Sequence, residues 1–320
     1  MMYKSVFSIS DDSSSLVKAK ELGVDVLFVS SRNINRDYLN KIRKTLPGVR
    51  VYSEIPVFLA STPQEFPDAI PILADGCELS GTWNFLCPSN KQVRSKRLGR
   101  INELLKLSVD GVWLDFIRYP GRWEGDNPEF LDVCYCDSCL DGFQKVIGAL
   151  LPRSHISETS SFIRKNYLRE WYDYRVEVIS SFVREVKGLV GAVNDHVDLG
   201  LFTVPFTSND YDNAVLRVYA QDHKALGGVV DVVSPMVYHR MTNNPVSWIG
   251  NMVNYFSSFS PRVLPLVQSE NRLSEFGPEE FSQSLSLASH IPSLGVCVFH
   301  LEDLVKQPEK FSTFRSFSSP

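Results

Sequence analysis

Two hydrophobic patterns alternate along the chain. Short, nearly continuous apolar runs occupy residues 5–10, 24–30, 49–57, 111–117, 197–204, 229–237, 263–267 and 295–300. Between them, apolar positions recur at helical spacing over residues 15–22, 37–46, 93–107, 168–190, 214–226, 246–256 and 279–290. A run such as Val24-Asp25-Val26-Leu27-Phe28-Val29 has little period-two alternation, as a strand covered on both faces requires. Strands separated by amphipathic helices imply a parallel sheet. Eight such units in 320 residues predict a single α/β domain, residues 1–320, folded as a closed (β/α)8 or TIM barrel. The competing arrangement, an open doubly wound sheet, lacks the Gly-rich fingerprint expected after its first strand. The pattern departs from its unit at one long insertion, residues 120–162, between the fourth strand and its helix.

Charge and cysteine usage narrow the chemistry. A formal net charge of −4 leaves no broad basic surface for a phosphate backbone, and the basic residues of 91–100 alternate with apolar ones at helical spacing, so nucleic acid is not an expected partner. No run approaches the roughly 18 apolar residues of a membrane span. Residues 1–10 lack a basic region leading into a long apolar segment, so the chain as it stands reads as cytoplasmic. Six cysteines are too few for a disulfide scaffold, and three of them, Cys134, Cys136 and Cys139, crowd into six positions. Three thiols in one short loop suit a metal, and Cys87 in Leu86-Cys87-Pro88 is the expected fourth ligand of a structural zinc site. Cys77 is the fallback, whereas Cys297, inside the eighth strand, reads as a small buried hydrophobe. A closed four-sulfur site leaves no position for water and would staple the insertion.

A barrel of this kind builds its active site from the C-terminal ends of its strands. There the sequence puts Glu54 in the third strand, Asp115 at the end of the fourth and Tyr238 with His239 at the end of the sixth. Gln268 and Glu270 follow the seventh strand, and His300, Glu302 and Asp303 end the eighth. Side-chain alternation groups Trp113 with Asp115, Leu264 and Leu266 with Gln268, and Val296 and Val298 with His300, so Asp115, Gln268 and His300 are expected to converge on the axis. Asp115 is the sharpest signal, because an unpaired carboxylate inside Val112-Trp113-Leu114-Asp115-Phe116 is costly. An ion pair with Arg118 is its structural explanation. Glycosidic cleavage needs a second carboxyl group, for which Glu270 is the first choice and Glu54 the second, although Glu270 also reads as a solvated loop residue beside Arg272. Glu302 and Asp303 read as helix N-cap residues. Trp83, Trp113, Trp123, Tyr119 and Tyr238 are candidate platforms for sugar faces, and Arg118, His239, Gln268 and His300 candidate hydroxyl partners.

Two stretches carry a family resemblance. Trp83-Asn84-Phe85-Leu86-Cys87-Pro88-Ser89-Asn90 with Val93-Arg94, and Asp110-Gly111-Val112-Trp113-Leu114-Asp115-Phe116-Ile117-Arg118-Tyr119-Pro120, resemble hypothetical glycosyl hydrolase families related to clan A barrels. Cys134-Tyr135-Cys136-Asp137-Ser138-Cys139-Leu140 with Phe143 resembles the zinc loop of family 42 β-galactosidases, in which an earlier Cys-Pro segment gives the fourth ligand, here Cys87. Those enzymes carry Asn-Glu at the end of the fourth strand, where this chain has Asp115-Phe116, so β-galactosidase specificity does not transfer. The resemblance implies an O-glycosyl hydrolase acting on an oligosaccharide, polysaccharide or glycoconjugate, with Asp115 as nucleophile or base and Glu270 as acid. A non-catalytic carbohydrate-binding barrel is the alternative, and a barrel hydrolase with a catalytic metal is a third.

Overall fold

The computed structural model describes residues 2–81, 83–193, 196–260, 262–271 and 275–318. Eight strands form one sheet: β1 (Tyr3–Ser8), β2 (Val26–Ser30), β3 (Arg50–Pro56), β4 (Gly111–Asp115), β5 (Asp198–Thr203), β6 (Val232–Pro235), β7 (Leu266–Gln268) and β8 (Gly295–Phe299). Their order is β6-β5-β4-β3-β2-β1-β8-β7, and every strand pair is parallel. Parallel bridges Val233–Val263 and Met236–Leu266 join the outermost strands, which nearly closes the barrel. The eight apolar runs thus correspond to the eight strands. The expected (β/α)8 architecture is the one observed.

Local chemistry sets the helix boundaries. Helix α1 (Ser13–Leu22) starts where the Asp12 carboxylate accepts from Ser15 N–H, and it ends at Gly23 in the left-handed conformation. Asn35 and Asn90 cap α2 (Arg36–Thr45) and α3 (Lys91–Leu105) in the same way. After β4 come α4 (Asp137–Ile147), α5 (Ile156–Asn166) and the long α6 (Leu168–Val193), which packs on α3 and carries the chain back to β5. The single helix expected over residues 214–226 is two short ones, α7 (Ala214–Arg217) and α8 (His223–Gly227). Ala220 between them takes a positive φ of 55°, which no helix can pass through, and Asp222 caps the second helix. The rest of the shell is α9 (Trp248–Ser257), α10 (Pro278–Ala288), α11 (Leu301–Val305) and α12 (Pro308–Ser316).

The insertion at 120–162 is not the only departure from the unit, as the hydrophobic pattern had suggested. Residues 57–90, between β3 and α3, hold two short 3-10 turns and isolated antiparallel bridges, Leu59–Phe85 and Ile72–Glu78. A further bridge, Leu73–Val133, ties this segment to the insertion after β4. Two long loops, both leaving the C-terminal end of the barrel, are therefore knitted together.

Inside the barrel, alternate residues form an apolar plug: Phe7, Phe28, Tyr52, Trp113, Phe202 and Cys297 are all buried there. Trp113 stacks on Tyr52 at 4.3 Å between ring centroids and donates its indole N–H to Ser234 Oγ at 2.9 Å. Space for the indole comes from Gly200, where a Cβ would lie 2.0 Å from the Trp113 ring. The outer faces of the strands, with Val112, Leu114, Val296 and Val298, pack against the helices. This corrects the parity expected for β8: Cys297 and Phe299 face the axis, and Val296 and Val298 do not.

Candidate active site

The plug stops at the C-terminal strand ends, and above it opens a cleft of about 450 Å³. Glu54 from β3, Asp115 from β4, Tyr238 after β6, Glu270 after β7 and His300 after β8 line it, together with Arg32, Arg118 and Glu124 from the loops. Asp115 and Glu54 project from neighbouring strands on the same face, since Pro56 pairs with Asp115 and Glu54 with Trp113. Their side chains are diagonal neighbours across the strand pair.

Glu54 is buried and Asp115 partly exposed to the cleft, and both are harder to ionise than usual. Burial is the main cause for Glu54, and the charge of Asp115 adds to it; the Ser30 hydroxyl and Arg32 oppose them, and the balance lies at about 8. Burial likewise pushes Asp115 up to about 6, against the N–H of Phe116, which donates to Asp115 Oδ1 at 2.7 Å, and the charge of Arg118. The charge of Asp115 opposes ionisation of Glu54, so of the pair Glu54 is the better placed to keep its proton and Asp115 to carry the charge. Two carboxyl groups whose surroundings separate their acidities are suited to opposite halves of an acid–base reaction.

Arg118 is not the ion-pair partner of Asp115. Its buried guanidinium donates to the Tyr119 carbonyl at 3.2 Å and the Gly121 carbonyl at 2.9 Å, and it lies over the Phe85, Phe116 and Tyr219 rings. From there it braces the loop after β4 and reaches Asp115 only through space. Tyr238 lies between Trp123, at 5.7 Å, and Phe299, at 5.6 Å, and forms an aromatic wall of the cleft. His300 is held by Glu302 at 3.0 Å and Asp303 at 2.8 Å. Glu302 is no N-cap, a position that His300 occupies; it accepts from the Ser8 hydroxyl and the Ser10 N–H and so clamps the end of β1 beside the cleft.

Four expected substrate contacts are absent from the cleft. Trp113 is fully buried in the plug beneath it. Tyr119 points the other way, with its hydroxyl 4.0 Å from Cys139 Sγ and its ring under Arg175. His239 is buried against Glu280 at 2.7 Å, behind the sixth strand. Gln268 does face inward, but its amide oxygen accepts from the N–H groups of Arg240 and Met241, both at 3.0 Å, and its amide nitrogen donates to the Glu270 carbonyl at 3.1 Å. It pins the loops after β6 and β7 and does not line the cleft. Arg272, the neighbour suggested for Glu270, lies outside the described residues. Sequence reasoning missed Arg32 and Glu124, which shift the charges of Glu54 and Asp115. Both lie in irregular loops, where no periodicity marks an inward residue.

The cysteine expectation has a clear geometric counterpart. Sγ atoms of Cys87, Cys134, Cys136 and Cys139 all lie within 4.8 Å of one another, Cys87 being 3.4 Å from both Cys139 and Cys136. Metal–sulfur bonds of about 2.3 Å in a tetrahedron separate sulfurs by about 3.8 Å, so this cage has the size and the donors to hold a metal ion. The N–H of Ile72 points at Cys134 Sγ at 3.3 Å and Ser89 Oγ lies 3.3 Å from Cys139 Sγ, an outer layer that fixes sulfur positions. Cys77 is exposed and outside the cage, and Cys297 is buried in the barrel.

No protein-family model matches the chain. An S-layer-related protein of Niallia circulans is 30% identical over 118 residues, which are 35% of this chain; the chain spans 7% of the length of that relative. Among solved structures, the glycoside hydrolase domain of PgaB (BpsB) from Bordetella bronchiseptica has a TM-score of 0.71 over 98% of both chains at 14% identity. A β-galactosidase from Marinomonas ef1 has a TM-score of 0.67, covering 92% of this chain and 53% of that one at 12% identity. Similar in the same way is the β-galactosidase of Halorubrum lacusprofundi, at 0.67, 92%, 52% and 10%. The fold is thus one that glycoside hydrolases use, and family 42 β-galactosidases are among its structural neighbours. Among the described residues, no helix is long and apolar enough to cross a membrane.

Proposed function

We propose that the chain is an O-glycosyl hydrolase in which Asp115 is the charged carboxylate and a second carboxyl group protonates the leaving oxygen. The observation that carries this reading is the pair of carboxyls on adjacent strand ends, Asp115 and the more deeply buried Glu54, both shifted upward by burial, at the base of a cleft with aromatic walls. Cleavage would proceed as Glu54 donates its proton to the glycosidic oxygen while Asp115 attacks the anomeric carbon or takes a proton from an attacking water. Arg118 and Glu124 oppose each other in setting the charge on Asp115, and Tyr238 gives one face on which a sugar ring can rest. Glu270, on the opposite wall, competes for the acid role.

The four-cysteine cage is read as a structural zinc site. Zinc would supply folding energy by joining the β3–α3 loop, through Cys87, to the insertion after β4. It offers no ligand position to substrate.

The test is hydrolysis of a panel of aryl glycosides and oligosaccharides by wild type and Asp115→Asn. Cleavage by wild type, lost in a folded Asp115→Asn protein, supports the reading. Binding of glycans with no hydrolysis by wild type supports the non-catalytic barrel instead.

A further inference from the structure

A second cleft, of about 540 Å³, opens beside the first. Trp83, Gly121 and Glu124 line both, so the two adjoin at these residues. The second is bounded on one side by the β3–α3 loop, with Leu79, Ser80 and Phe85, and on the other by the insertion, with Arg122 and Leu131. Each cleft falls in the size range of sites that hold a drug-sized ligand, so a monosaccharide would leave most of the combined groove empty.

Trp83 stands at the junction. Its side chain is half exposed, which is costly for an indole that only packs, and its ring lies 5.6 Å from that of Phe116, the residue after Asp115. Gly121 lies on the other side, where a Cβ would meet the Tyr219 ring at 2.7 Å, so the backbone there packs directly on that ring. Glu124 hydrogen-bonds no side chain among the described residues, so its carboxylate is available to sugar hydroxyls at the same junction.

We infer that the second cleft is an extension subsite, and that the substrate is a glycan of at least three rings whose chain crosses Trp83 to lie between the two knitted loops. This rests on the hydrolase reading for the position of the cleaved bond. The occupant follows from adjacency: a chain that extends from the first cleft across Trp83 meets the second, and an aromatic face with hydroxyl acceptors suits a pyranose.

The experiment measures hydrolysis and binding of neutral and amino-sugar homo-oligomers from one to six rings, with aryl monoglycosides of the same sugars as the short reference. Binding is read on Asp115→Asn, and Trp83→Ala and Trp83→Phe are compared with wild type after circular dichroism has verified folding. Expected is a rise in kcat/KM and in affinity with chain length. Trp83→Ala should lose at least tenfold more on the longest oligomer than on the aryl monoglycoside, and Trp83→Phe should recover part of that difference. Hydrolysis that does not depend on length, or equal losses on long and short substrates, overturns the subsite and leaves the hydrolase. Length-dependent binding that Trp83→Ala abolishes, with no turnover by wild type, supports the subsite and overturns the hydrolase. Neither binding nor turnover of any probe overturns both.

Discussion

At the scale of single residues, the burial that suits Asp115 and Glu54 to the proposed acid–base chemistry also makes them destabilising once charged. Both ionise at higher pH in the folded chain than in the unfolded one, so between about pH 4 and 8 the folded state holds more protons. Their contribution to stability is present below the unfolded values and is lost as pH rises through about 6 and then about 8. Glu54→Gln removes the larger of these losses and should melt above wild type at pH 8.5, by about 2 °C or more, with the difference vanishing near pH 4. Calorimetric scans at the two pH values check this, and an equal melting point at pH 8.5 would remove Glu54 as a strained carboxyl. The same pair predicts the activity profile: a rise through about pH 6 as Asp115 ionises and a fall through about pH 8 as Glu54 does. Asp115→Asn should lower kcat by roughly 100-fold or more. What the sequence revealed at this scale was the anomaly of a charge in an apolar strand. Hydrogen-bond assignments were hidden, because alternation says which way a side chain points but not whether it reaches the cleft. That is why Gln268 and Trp113, both facing inward, serve the loops and the plug.

At the scale of elements, continuous apolar runs made the strands legible and apolar spacing made the helices legible, whereas their starts, set by caps at Asp12, Asn35 and Asn90, lie about two residues or fewer before the periodic positions. Residues 57–90 were not legible, because their short turns and bridges carry no periodic signal. Two predictions belong here. Gly200→Ala would drive a methyl into the Trp113 indole, and since Trp113 is wedged between Tyr52 and Phe28 it cannot retreat. Overpacking of this kind costs about 1–3 kcal/mol, readable as a lower denaturation midpoint. The second concerns the joined loops. Chelator-free protein should contain about one zinc per chain by elemental analysis, and Cys87→Ser should lose it, because Cys87 brings the cage its thiol from the β3–α3 side. Chelation should lower stability far more than the turnover of molecules still folded. A folded, metal-free wild type would refute the site.

At the scale of the whole barrel, the proposed hydrolysis sets two walls of the cleft against each other as the source of the leaving group's proton. Glu54 and Asp115 stand on adjacent strands, whereas Glu270 follows β7 on another wall of the same cleft. Loop anchors favour a fixed position for Glu270: Lys310 donates to the Ser269 carbonyl at 3.1 Å and to Asn271 Oδ1 at 2.7 Å, and Gln268 holds the Glu270 carbonyl. The neighbouring Asp115 favours Glu54, since its charge adds to burial in holding the Glu54 carboxyl well above the usual range. A general acid matters most when the leaving oxygen is a poor one, so the two readings separate on leaving-group dependence. Glu54→Gln and Glu270→Gln should each be assayed on an activated aryl glycoside and on a natural-type oligosaccharide. The residue that acts as acid should lose roughly 100-fold more on the oligosaccharide than on the aryl substrate, and the other should lose about equally on both. The expected acid is Glu54. A selective loss in Glu270→Gln would instead put the cleaved bond across the barrel mouth, between β4 and β7, and leave Glu54 to hold Asp115 in its working charge state.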